Sequence, residues 1–108
     1  MPRKPQSLIF GHRKIKIKYI PHATAQKRKI MAEVDPDANV MVIDSSLDHA
    51  TTLNCILHEM MHIIAGHYSW EVPANIEELF CETATNGVCD LLSQNPKLVE
   101  YLANSLKK

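Results

Sequence analysis

From Asp48 to Ala65 the chain carries neither glycine nor proline, and this unbroken run constrains the fold more than any other feature. A run of that length reads as an α-helix of about five turns. The segment Ser45, Ser46, Leu47, Asp48 offers several residues able to cap its first turn, and Gly66 marks a place to stop. Leu53, Ile56, Leu57, Met60, Met61, Ile63 and Ile64 fall in one wide stripe when each residue advances by about 100°. One face of this helix therefore belongs to a core.

Off that stripe stand His58 and His62, which with Glu59, Met60 and Met61 between them spell HExxH. A spacing of four residues sets the two imidazoles about 40° apart, one turn above the other, so both can reach a single metal ion. Glu59, one residue on, projects beside the pair, where a carboxylate can take a proton from a metal-activated water without binding the metal. Two neutral imidazoles buried without partners would each cost roughly 1 to 3 kcal/mol, a penalty that a metal removes.

Two histidines leave the coordination incomplete, and the chain offers several ways to finish it. Continuation as HExxHxxGxxH would need glycine at 65 and histidine at 68, where the chain has Ala65 and Tyr68. His67 falls one residue short and reads as a rim residue. A second helix, expected from Asn75 to Ser93, carries Glu77, Glu78 and Glu82 and an apolar stripe of Ile76, Phe80, Thr83, Ala84, Gly87, Val88 and Leu91. Glu82 lies at the edge of that stripe and is the expected third ligand, with Glu78 pointing further toward solvent. Cys55, one turn before His58, could instead join the histidines and Cys81 in a closed structural site, although a lone cysteine is more commonly a small buried hydrophobe.

Ahead of the helices the pattern is β. Lys14, Lys16 and Lys18 alternate with Ile15, Ile17 and Tyr19, as in a strand with lysines outward, and Pro21 ends it. Ile30–Val34 and Val40–Ile43 flank the turn formers Asp35, Pro36, Asp37, Ala38 and Asn39 and read as a hairpin. The edge of Val40–Ile43 is a candidate for aligning an extended peptide. A short helix from Pro96 to Leu106 closes the chain. The expected fold is α+β over residues 1–108 as one domain: a small antiparallel sheet packed on two long helices, plus the short C-terminal one.

Composition narrows the function. With 45% apolar and 22% charged residues in 108, the chain can bury a core and fold as an ordinary globular domain. The longest apolar stretch falls far short of the roughly 20 residues of a membrane span, so no membrane role is expected. The run Met1–Phe10 lacks an apolar segment of the secretory kind and the three cysteines include no CxxC pair, which points to the cytoplasm. Nine of the twelve Lys and Arg precede Ile30, and the first acidic residue is Glu33. A nucleic-acid contact is the alternative to a solvated strand face, but no aromatic-rich motif accompanies the charge.

HExxH followed after nineteen residues by glutamate, as from His62 to Glu82, resembles the thermolysin-like gluzincins. With Gly66-His67 and then Glu82-Thr83-Ala84-Thr85-Asn86-Gly87, the segment looks more closely like the ImmA/IrrE metallo-endopeptidases and their small phage-borne relatives. The resemblance spans roughly Val40 to Leu92 and departs from the family pattern at Thr85. It implies a zincin-like core, Zn2+ held by His58, His62 and Glu82, Glu59 as general base, and a peptide or protein substrate. Tyr68, His67 and His49 are candidates for stabilising the oxyanion. The alternative class is a non-catalytic zinc-binding regulatory or interaction protein of a phage or mobile element.

Overall fold

A computed structural model describes residues 3–107. Its elements follow in the order β1 (Ser7–Phe10), β2 (Arg13–Ile20), α1 (His22–Arg28), β3 (Ala32–Asp35), β4 (Val40–Asp44), α2 (His49–His67), α3 (Ala74–Gln94) and α4 (Pro96–Ser105). Met1 and Pro2, part of the N-terminal run considered above, lie outside the described residues, and Ser7–Phe10 of that run is a strand. No described helix is long and apolar enough to cross a membrane.

The fold is α+β, but the sheet is mixed where an antiparallel one was expected. Its four strands lie in the order β1-β2-β4-β3, and β2 pairs with β4 in parallel, Ile17 opposite Met41 and Tyr19 opposite Ile43. The cause is α1, a helix that no apolar periodicity reveals. Pro21, at φ −56°, ends β2 and starts the helix, and Lys29, left-handed at φ 58°, ends it. The helix carries the chain past one strand position before β3 begins, and the β3–β4 hairpin folds back into the gap. Its turn is the expected one: the Asp35 carboxylate accepts from the amides of Asp37 and Ala38 at 3.0 and 3.1 Å. β4 is therefore an interior strand. The free edges belong to β1 and β3, so the peptide-aligning edge cannot be Val40–Ile43.

Alternation on β2 behaves as expected. Ile15 and Ile17 are buried while Lys14, Lys16 and Lys18 are exposed on the other face. Met41 and Ile43 of β4 join them, and Ile56 and Ile63 of α2 close the core from above. Asp48 caps α2 by accepting from the Thr51 amide at 2.7 Å. The helix runs one residue past Gly66, because Ser69 takes the left-handed conformation (φ 54°) that a glycine would otherwise supply. Bonds from the Ser69 amide to Gly66 O and from the Trp70 amide to Ala65 O close the end.

α3 corrects the expectation in a second respect. It packs on α2 rather than on the sheet, and it does so through Cys81 and Thr85, both fully buried. The anticipated stripe of Ile76, Phe80, Val88 and Leu91 faces outward, with Phe80 52% and Leu91 51% exposed. The sheet's core is already covered by α2, and the part of α2 that carries His58 and His62 is polar, so α3 presents its small and polar face there. The Thr85 hydroxyl is buried in that contact without a hydrogen-bond partner among the described residues.

Asp44, at the end of β4, ties the sheet to α1. Its Oδ2 lies 2.7 Å from His22 Nδ1, and its other oxygen accepts from the Ser46 amide and hydroxyl at 2.9 and 2.8 Å. The His22 bond first, then the Ser46 amide, hold its carboxyl down at about 2. A carboxyl whose pKa is lower folded than unfolded contributes stability that is present above its unfolded value, about 3.9, and lost as pH falls through the folded one. Denaturant midpoints should therefore fall between pH 4 and 2 more steeply in the wild type than in Asp44→Asn, which should be less stable at neutral pH and flatter in that window. Equal slopes would show that Asp44 does not carry the linkage.

Candidate metal centre

The phase of α2 sets the site. His58 and His62 lie within about 40° of each other, and Ile56 and Ile63, which pack on the sheet, lie about 100° or more away from both. Anchoring the apolar pair on the sheet thereby turns both imidazoles toward α3. Glu59 falls between the two faces and is half-buried.

On α3, Glu78 stands about 60° round the helix from the buried Cys81, and Glu82 about 100° round. That difference decides which carboxylate meets the histidines. Glu78 Oε1 lies 2.8 Å from His58 Nε2 and its Oε2 lies 2.9 Å from His62 Nε2, although the side chain is 55% exposed. His58, His62 and Glu78 are so grouped that ligand atoms of all three fall within 4.8 Å of one another. Glu82, the carboxylate preferred from the sequence, lines the same cleft one turn on but is outside this group. Cys55 and Cys81 are outside it too. Cys81 Sγ approaches the far nitrogen of His62, Nδ1, at 3.7 Å. Burial first, and then neighbouring carboxylates, push both thiols up, Glu59 and Asp44 beside Cys55 and Glu77, Glu78 and Glu59 near Cys81.

The two imidazoles are spaced as ligands of one metal would be, while the Glu78 oxygens sit at hydrogen-bond distance from both. Tetrahedral zinc with Zn–N bonds of about 2.0–2.1 Å has neighbouring ligand nitrogens about 3.3 Å apart, and the two Nε2 atoms here are 3.3 Å apart. Glu77, not among the site residues expected from the sequence, completes the case. Its Oε2 accepts from His62 Nδ1 at 2.6 Å. A carboxylate on Nδ1 keeps a proton on that nitrogen, the usual outer support of a metal-ligating histidine, while Nε2 faces Glu78 Oε2 at 2.9 Å. The signal for Glu77 was legible in principle: it precedes Cys81 by four residues and so shares the buried face of α3.

Electrostatics sharpen the picture. Burial lowers the His62 pKa, but the Glu77 hydrogen bond and the charges of Glu78, Glu59 and Glu77 outweigh it and raise the imidazole overall. Glu59 is raised as well, because burial outweighs the opposing pull of His58 and His62 and is joined by the charge of Glu78. A carboxyl pushed upward beside the two imidazoles takes up a proton more readily than an ordinary one. Beside these residues opens a cleft of about 540 Å³, walled by Lys29–Ala32 on one side and by Cys55, His58, Glu78, Glu82 and Asn86 on the other. Asn54 Nδ2 donates to Asn86 Oδ1 at 2.9 Å across the helix pair at one end. Of the candidates for the oxyanion, His67 packs edge-on against Phe10, with ring centroids 5.0 Å apart, and against Tyr68, at 4.9 Å. His49 begins α2, about two and a half turns before His58.

No protein family, curated protein or solved structure matches this chain. The geometry therefore stands on its own. Titration of the purified protein with zinc should show Glu78→Gln binding far more weakly than Glu82→Gln, and the reverse order would assign the third ligand to Glu82. Glu77→Gln leaves all three ligating groups in place and should weaken zinc binding by roughly 10- to 100-fold, the range found when an outer partner of a ligating histidine is removed. An unchanged affinity would reduce Glu77 to a packing contact.

Proposed function

We propose that this chain is a zinc-dependent hydrolase of peptide bonds, with His58, His62 and Glu78 holding the metal and Glu59 acting as general base. One observation carries the reading: two imidazole nitrogens and a carboxylate lie within 4.8 Å of one another while a half-buried carboxyl with a raised pKa stands next to them without joining the group. The resemblance to gluzincins supports the same chemistry, with Glu82 as ligand in place of Glu78. Zinc bound here supplies Lewis acidity, activating water and polarising a carbonyl at neutral pH.

The protein's own residues would do the rest. Glu77 holds His62 in its binding tautomer, and α2 keeps both imidazoles aimed at α3. Glu59 takes a proton from the attacking water and returns it to the leaving amine, which a carboxyl of ordinary pKa would do less readily. The cleft is bounded by the segment leading into β3, whose outer edge is unpaired. An extended peptide running along that edge would gain main-chain hydrogen bonds and pass in front of the histidines.

Glu59→Gln separates catalysis from binding. The variant should keep its zinc, and its melting temperature should rise on adding zinc as the wild type's does, by about 4 kcal/mol of added stability at a thousandfold excess over Kd. It should lose cleavage of a mixed peptide library by at least about 100-fold, the lower range of a general base's contribution. His58→Ala should lose both responses. Wild type and Glu59→Gln equally stabilised by zinc and equally inactive on every peptide would make the chain a zinc-dependent binding module instead.

A further inference from the structure

The exposed apolar residues of α3 form a surface that no other described residue buries. Ile76, Phe80, Val88 and Leu91 line it, with Ala84 and Gly87 between them. α4 follows α3 and carries exposed apolar residues of its own. None of its residues is buried, yet Leu98, Tyr101, Leu102 and Leu106 fall on one side of it. A helix of ten residues is marginal in water by itself, and its stability comes from packing an apolar face. Together these residues expose roughly 900 Å², close to the about 800 Å² that each partner gives a standard interface.

We propose that the chain forms a two-fold symmetric dimer in which the α3 and α4 faces of one copy cover those of another. The stripe is self-complementary when read antiparallel, as a two-fold interface requires. With Ala84 opposite the partner's Gly87, Phe80 meets the partner's Leu91 and Thr83 meets the partner's Val88. Small residues then meet at the centre, where two helices approach most closely, and large ones flank them. The acidic residues of α3 do not oppose one another in this register: Glu77, Glu78 and Glu82 fall level with the partner's Gln94, the partner's Ser93 and the partner's Cys89.

The same pairing brings the partner's α4 beside the start of α3. There Met61, Ile64, Tyr68, Trp70 and Phe80 line an apolar groove of about 310 Å³. The cleft beside Glu59 lies on the other side of the α2–α3 contact and stays open. The dimer rests on packing alone and is independent of the proposed hydrolysis.

Sedimentation of the full chain across the micromolar range should give twice the 12.2 kDa of one chain. Phe80→Glu and Leu91→Lys should each give monomers with helical content retained. Mixing the two variants should restore the dimer, since the carboxylate introduced in one chain would then face the ammonium introduced in the other. In the unmodified protein, α4 amides should lose hydrogen-exchange protection on dilution, a readout that survives if a variant fails to fold. A monomeric wild type overturns the proposal, as does a dimer indifferent to both substitutions. Variants that stay monomeric when mixed overturn the antiparallel register.

Discussion

Four ionisable side chains meet at the centre of the α2–α3 contact, and the terms on which they can be partly buried govern much else in the molecule. His62 is held between Glu77 on Nδ1 and Glu78 on Nε2, and His58 shares the Glu78 carboxylate. Charges taken out of water need partners with good geometry. Here each helix supplies what the other lacks, imidazoles from α2 and carboxylates from α3. A helix pair built this way cannot also be joined by a broad apolar seam. Cys81 and Thr85 are the buried residues of α3, and the Thr85 hydroxyl goes unpaired among the described residues.

The outward turn of α3's apolar stripe has the same origin. With its polar side drawn onto the histidines, the helix has no freedom left to place Phe80 and Leu91 against the sheet. α2 already covers that core with Ile56 and Ile63. The three C-terminal helices thus have separate roles, for α2 joins sheet and site, α3 joins site and outer surface, and α4 adds only to the outer surface.

Much of this was legible in the sequence, and the failures have physical causes. The long helix, its HExxH and the face it gives to the core follow from local periodicity, which needs no knowledge of neighbours. The β3–β4 hairpin was equally visible, because its turn residues bond within the turn itself. By contrast, the parallel pairing of β2 with β4 depends on where α1 carries the chain, and α1 has no apolar stripe to announce it. Its single buried side chain is Ala25. The preference for Glu82 over Glu78 rested on the apolar stripe of α3 facing inward and on the spacing shared with the gluzincins, and the structure bears on the first, setting Glu78 nearer the histidines. Once Cys81 and Thr85 are known to mark the buried side, Glu77 and Glu78 are the carboxylates nearest to it. Periodicity can locate a helix face but cannot say whether a core or the solvent lies beyond it.

α2 serves the sheet and the histidines through one rigid phase, and that has a consequence for which lengths of chain can vary. One residue inserted between Ile56 and His58 would leave Ile56 on the sheet and swing both imidazoles by about 100° away from Glu78. One added within the loop from Ser69 to Pro73 is absorbed by irregular backbone, or at worst slides α3 along its neighbour by about 1.5 Å. The turn from Pro36 to Asn39 lies at the far end of the β3–β4 hairpin from the cleft and could lengthen with little effect on either. Length changes should thus be admissible in the turns and barred from the middle of α2, where one spacing sets both the core face and the histidine face.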